Sequence, residues 1–514
     1  MIARSTTAAA LLLLPALLTG QSARLGEITF PTSATVPAAQ AAFEQGVLWM
    51  HSFEYDHAAE AFRRAQRAEP GFAMAYWGEA MTHNHPIWNE RAADSARAIL
   101  ARLGPTAEAR SARASTPRER AWLASAEVLW GEGPKPRRDS LYLDAMRALA
   151  TRYPDDEADA FLSLAWLGLS QGVRDIPSYM RGGKIALDLF ARAPRHPGAA
   201  HYVIHAFDDP DHAILALDAA RAYSGIAPDA GHAQHMTTHI FLALGMWDDV
   251  ARQNVVAMQA ARGNSDSLDW APGHYTWWLH YARLQQGKWH DAREWLLRQQ
   301  QLLPADAPAW RRAFLQRMVD EWQVNIGLFD QVPSHLVTDA QRTATGILTR
   351  GLGAGPAHRA PTAALRRLAD ELTAWRAAHP DSIEGQLLEP QLRALVLLRD
   401  GHVDSAVALL RATVALEAAQ PVDFGPPAIV RPAHEALAEL LLEAGRFAEA
   451  RIAYDKALAR TPGRARLLAG LVLATEGADD AHGAAAARAA LARVHHGADP
   501  VATEALLKRL AGTR

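Results

Sequence analysis

Cysteine is absent from all 514 residues. That absence excludes disulfides, a lipid-modified cysteine and thiolate ligands, so any metal the chain holds must be taken by histidine, carboxylate or methionine. A dominant charge is also lacking: 53 basic residues meet 56 acidic ones for a net charge of −3, which gives no electrostatic case for nucleic acid or for an anionic membrane surface. Beyond the N-terminus no run of 18 or more apolar residues occurs, which argues against a membrane span. Sustained strand-type alternation is missing, and so are a glycine-rich phosphate loop, a serine nucleophile elbow and a dinucleotide fingerprint.

The first residues form a graded segment. Met1 to Arg4 is positively charged, Ala8 to Leu18 is apolar, and Gly20 and Ser22 are the small residues at positions −3 and −1 of a cut before Ala23. This order predicts a secretory signal over 1–22 and export to the periplasm or the exterior; its apolar core is too short to span a bilayer.

From there on, runs rich in Ala, Leu, Arg and Glu with a 3.6-residue period alternate with short Gly, Pro or Asp breaks, which predicts an all-α chain. In AAFEQGVLWMHSFEYDHAAEAFRRAQRAEPGF, Gly46, Trp49, Ala58, Phe62, Ala65 and Pro70 occupy the small, large and terminating positions of two packed helices. Ala58 and Ala65 permit close approach, and Trp49 and Phe62 are expected to fill the space between the helices. In HEALAELLLEAGRFAEARIAYDKALARTPG, Leu437, Ala438, Leu441, Gly445, Ala450, Tyr454, Ala457 and Pro462 do the same. Weaker copies turn on Gly245, Gly287 and Gly401. On these residues the chain resembles the tetratricopeptide repeat (TPR) family over most of its length, which implies a helical solenoid with a concave binding face. Ser115 to Pro154 and Leu303 to Pro390 lack a clean register. A Gly/Pro/Ala stretch, Gly351 to Pro361, suggests a joint between a solenoid over 36–350 and C-terminal repeats over 362–512.

Histidine is concentrated in one place. Residues 196–239 hold seven of the 22 histidines, including two HxxxH pairs, His201/His205 and His235/His239, offset by 34 residues, the length of one TPR unit. A spacing of four puts both rings on one helix face. His201, His205 and Asp208 share one face, and His232, His235 and His239 another. Four imidazoles facing one gap would make a site for a divalent transition metal such as zinc, copper, iron or nickel, with His232 and Asp208 as further ligands. Aligning the repeats on Ala213 and on Gly245 places the pairs three positions apart, so His201 faces either the groove or its own second helix. The blander reading is that these are packing histidines and that Asp208, Asp209 and Asp229 cap helices. Tyr202 and Met236 stand where the HExxH metalloprotease motif has glutamate, which argues against that mechanism. The block HPGAAHYVIHAFDDPDHA with APDAGHAQHMTTHIFLALGMWDD also resembles a stretch of uncharacterised exported bacterial repeat proteins, which implies a shared local feature and no established reaction.

Three lesser features remain. His83, His85 and Trp88 read as a helix end with aromatic packing, Trp277 and Trp278 read as core, and His274 and His280 are within reach of the site from the next repeat. The expectation is therefore an exported TPR solenoid that binds a peptide, protein or small molecule on its concave face and a metal at its histidine cluster. The alternatives are a metal-dependent hydrolase or oxidoreductase on the same scaffold and a metal-free interaction scaffold.

Overall fold

The computed structural model describes residues 23–87, 90–169, 174–263, 270–327, 343–353, 362–421 and 424–512. The expected leader over 1–22, residues 354–361 of the expected joint, and Trp88 lie outside them.

The described residues form 25 α-helices and one 3-10 turn; the sole extended structure among them is a two-residue antiparallel pair, Asn84–His85 with Glu90–Arg91. Consecutive helices pack as hairpins, beginning with Pro37–His51 against Tyr55–Ala68 and ending with Ala465–Gly477 against Ala481–Val494. The result is an all-α, TPR-like helical-repeat solenoid.

The hairpin chemistry is the one the repeat positions predict. In the first unit Ala58, Phe62 and Ala65 are fully buried. The Phe62 ring fills the gap left by two glycines: a Cβ on Gly46 or Gly78 would stand 2.6 or 2.3 Å from it. Trp49 departs from expectation. It is half-buried and stacks on His57 at 4.7 Å, while Phe43, 5.7 Å from Phe62, takes the interior place.

Four hairpin turns place glycine in the left-handed region: Gly245, Gly287, Gly401 and Gly445 at φ 70°, 69°, 80° and 71°. The first and last hairpins reach the same conformation without glycine, through Phe53 (φ 55°) and Asp479 (φ 56°). A bulky residue held there stores about 1–3 kcal/mol of strain. Phe53 is the more telling of the two because its ring enters the histidine region described below.

The coil does not contact only its nearest repeats, as an open solenoid would. Trp247 donates to the Gly463 carbonyl (2.7 Å), the Arg464 guanidinium to Tyr281 (2.6 Å), and the Ala465 amide to Gln285 (3.0 Å). Arg464 is itself held by Glu435 at 2.6 Å, both side chains buried. The C-terminal repeats thus lie against the 231–285 segment.

Two tests follow. Leu441, 2% exposed inside the C-terminal core, should cost about 2–5 kcal/mol when replaced by alanine, read by thermal or denaturant unfolding. Asp320 and Glu321 on the Ala309–Ile326 helix are raised by burial to about 8 and about 7. The folded chain keeps protons there that the unfolded chain releases near pH 4, so their contribution is full below that pH and is lost as pH rises through 7 to 8. Asp320→Asn should therefore gain melting temperature relative to the parent as pH is raised from 5 to 8.

Candidate metal centre

Helices Pro197–Ala206 and Gly231–Ala243 are enclosed almost throughout, with no solvent stripe. Histidines on an enclosed helix must satisfy their nitrogens internally. How each does so separates structural rings from candidate ligands.

At His235 the proton position is fixed by its neighbour. The Asn254 amide donates to the Val250 carbonyl (2.9 Å), which turns its Oδ1 toward His235 Nδ1 at 2.8 Å. His235 Nδ1 therefore carries the proton and donates, leaving a lone pair on Nε2. His239 is set the same way by a carboxylate: its Nδ1 donates to Asp208 Oδ2 at 2.6 Å. Both Nε2 lone pairs then face each other across 3.2 Å. Bare lone pairs at that distance repel. A tetrahedral ion bonded to each nitrogen at 2.0–2.1 Å would separate them by about 3.3 Å. A shared proton is the poorer answer, since burial, with His274 and His239 adding to it, pushes the His235 pKa well below the usual imidazole range.

His274 supplies a third nitrogen, all three ligand atoms lying within 4.8 Å of one another. It comes from the next helix, His274–Gln285, with its ring 4.6 Å from that of His235. Burial also lowers the His274 pKa, but the residue is exposed at the rim, so water at its open edge weakens that effect. Trp278 packs at 4.5 Å from the His239 ring and 4.7 Å from His235, which fixes both.

A second group, His201, His205 and His232, also has ligand atoms within 4.8 Å. His201 Nδ1 donates to the His51 carbonyl at 2.6 Å. Its Nε2 and both nitrogens of His205 have no hydrogen-bond partner among the described residues, although the two side chains are 0% and 3% exposed. Burial holds the His201 pKa down to about 3. The rings of His205 and His239 lie 6.4 Å apart and join the two groups.

Both groups open on one cleft of about 610 Å3, lined by His205, His232, His235, His239 and His274. Its walls are apolar and aromatic, with Trp270, Tyr275, Trp310 and Phe424; among the described residues Glu54 and Arg311 are its charged members, beside the neutral histidines.

A third cluster, His51, Glu157 and His196, is fully buried and reads differently. His196 Nδ1 accepts the Ala199 amide (3.1 Å), so its Nε2 donates to Glu157 at 3.2 Å. His51 Nε2 meets the other Glu157 oxygen at 2.8 Å, and its Nδ1 meets Tyr202 Oη at 2.9 Å. Burial pushes the Glu157 pKa upward, but His51 and His196 outweigh it and hold it at about 2. Every nitrogen is satisfied and no lone pair faces another. This is a structural tie between helices.

The six residues expected to bind metal are therefore divided. His201 and His205 join His232, whereas His235 and His239 join His274; the four paired rings do not meet at one point. Asp208 lies behind His239 as its hydrogen-bond partner. Asp209 does the capping, accepting the Asp211 and His212 amides while paired with Arg174 at 2.8 Å. Asp229 binds Arg24 at 2.7 Å. His85 stacks on Tyr55 at 4.0 Å, Trp277 donates to Glu321, and His280 is buried outside these groups. Phe53, Glu54, His51, Glu157 and Asn254 were not legible as site residues, apart from one signal: the first hairpin lacks glycine where other copies have it.

No family model matches the chain, and neither does any curated protein sequence. Among solved structures it is loosely similar to the APC/C hetero-tetramer Cut9–Hcn1, at 10% identity over 92% of this chain and 76% of that one, with a TM-score of 0.32. A monomeric mutant of IFIT1 with Gppp-AAAA gives 12% identity, 82% and 90% coverage and a TM-score of 0.34. A human IFIT1 dimer with m7Gppp-AAAA gives 12%, 90% and 92%, and 0.32. Likeness at this level carries no argument about function, and the TPR-like description rests on the hairpins themselves.

The structural reading of the third cluster is testable. Glu157→Gln should cost about 1–3 kcal/mol in unfolding experiments, because an amide cannot accept from both rings, and should leave metal content unchanged. A loss of metal equal to that of His239→Ala would instead place the cluster among the ligands.

Proposed function

We propose that this is an exported helical-repeat protein that holds a divalent transition metal, zinc, copper or iron, at His235, His239 and His274, and binds a small ligand in the cleft above it. The observation that carries the reading is the facing pair of Nε2 lone pairs at 3.2 Å, each fixed by a partner on the far side of its ring. Three protein donors leave an open coordination position. All three donors are neutral, so the ion keeps its full charge and favours an anionic oxygen from the ligand. Cleft size and aromatic walls favour a small molecule over an extended peptide, and Arg311 at its edge complements an anion.

The open position equally suits activation of a bound water, which keeps a metal-dependent hydrolase as the second reading. Export rests on the graded N-terminal segment alone.

The test is metal analysis of untagged protein loaded with zinc, copper or iron. The parent should bind metal, His239→Ala should lose it at this site, Asp208→Asn should weaken it about 10–100-fold, and His496→Ala should change nothing. Free imidazoles titrate near 6.5, and protons compete with the ion. Because burial lowers the His235 pKa, that competition begins at lower pH than in a solvated triad, so metal should be retained at pH 6. A parent that binds no metal, or a control that loses as much as His239→Ala, overturns the reading.

A further inference from the structure

We propose that His201, His205 and His232 form a second metal site, so that the cleft holds two transition-metal ions side by side and takes an oxygen-donor ligand, water or hydroxide at rest, within reach of both. The proposal rests on the reading of the neighbouring triad given above.

Unsatisfied polar atoms are the first argument. The sole hydrogen bond of the His201 ring commits its Nδ1 proton to the His51 carbonyl, which leaves a lone pair on Nε2 that meets no donor among the described residues. His205 is worse off, with neither nitrogen bonded at 3% exposure. Most buried polar atoms in proteins find a partner, and here three unpartnered nitrogens fall on two neighbouring rings of one triad. One cation would satisfy a lone pair on each ring at once. The fully bonded His51–Glu157–His196 cluster, one helical turn away along Pro197–Ala206, shows what a histidine group in this core looks like when it needs no ion.

Backbone strain is the second argument. Phe53 holds a left-handed conformation that glycine supplies in four other hairpins. Its ring packs against all three imidazoles, at 4.3 Å from His201, 5.5 Å from His205 and 5.7 Å from His232. Glycine there would relieve the strain and leave the rings unsupported. Strain retained at a residue whose ring touches all three imidazoles fits a functional site. From the next turn residue, Glu54 Oε1 accepts the His232 amide at 2.9 Å and fixes the start of that helix.

Adjacency is the third. Members of both triads line the same cleft, and His205 and His239 approach within 6.4 Å. Six neutral imidazoles would leave two divalent ions uncompensated, with Glu54 the sole carboxylate lining that cleft among the described residues. Such a pair lowers the pKa of a bound water strongly and favours a shared hydroxide or other oxygen donor.

The experiment uses copper(II) alone as probe on the full chain, with bound equivalents counted after removal of free metal and the electron paramagnetic resonance spectrum recorded. His232→Ala and His274→Ala serve as variants because these are the least enclosed ligands of each triad. The parent should bind two equivalents with a coupled or dipole-broadened spectrum, each single variant one equivalent with a sharp isolated spectrum, and the double variant none. Far-ultraviolet circular dichroism of each single variant checks that it is folded. One equivalent in the parent, unchanged in His232→Ala, overturns the second site and leaves the first standing. Two equivalents of which His232→Ala removes none overturns the assignment of ligands, and two equivalents with an uncoupled spectrum overturns the side-by-side arrangement. A parent that binds none overturns both this proposal and the reading beneath it.

Discussion

Burial of the Gly231–Ala243 helix everywhere except where it lines the cleft is the constraint from which the rest follows. Twelve of its residues are buried, among them Gln234, His235, Thr237, Thr238 and His239. Away from the cleft none of these can turn to water, so each needs an internal partner. Gln234 donates to the Ser224 and Ala227 carbonyls and accepts from Gln253, while Thr237 and Thr238 bond back to the carbonyls of their own helix. His235 and His239 spend their Nδ1 protons on Asn254 and Asp208. After that accounting the Nε2 atoms of the two histidines are left facing each other.

That enclosure needs more than the neighbouring repeats. A solenoid leaves its concave side open, but here Trp247, Tyr281 and Gln285 are bonded to Gly463, Arg464 and Ala465, 180 to 216 residues away. Gly245 is pressed so closely to Pro462 that a Cβ there would stand 2.6 Å from its carbonyl oxygen. The C-terminal repeats thereby act as a wall. Their signature residues are ordinary packing residues, and from the loop that precedes them Phe424 lines the cleft beside His239 and Gly425 packs on Trp278. Stability and site are linked through this contact: loosening the C-terminal core would be felt at the rings.

The architecture was legible because each hairpin repeats the same packing logic: Ala58, Phe62 and Ala65 in the first unit, Ala450, Tyr454 and Ala457 near the end. Histidine spacing was legible for the same reason, since i, i+4 on a helix is local geometry. What decided the grouping was not local. His232 joins the earlier pair and His274 the later one because successive helices are offset in the coil, a displacement that no single-helix pattern encodes. Asp208 reads from its spacing as a ligand; only the approach of His239 from the next repeat shows that its carboxylate meets Nδ1 and not a metal point. Phe53 belongs to the same lesson. Its place in the turn was visible, but the meaning of a missing glycine depends on what the ring touches.

The donor chemistry narrows what the cleft can do. Imidazoles fixed at Nδ1 by a carboxylate or an amide are better oriented than free ones, yet they bring no charge of their own. An ion held by them in an apolar surround is poorly screened, since Coulomb interactions grow as the local dielectric falls. The surplus charge must be met by something arriving through the cleft, where Trp270, Tyr275, Trp310 and Phe424 offer surface for an apolar body and Arg311 a cation for its polar end. Neutral ligands and aromatic walls therefore point the same way: on the proposed reading the protein would fix the ion and the shape of the opening, and would leave the compensating oxygen to the molecule it binds.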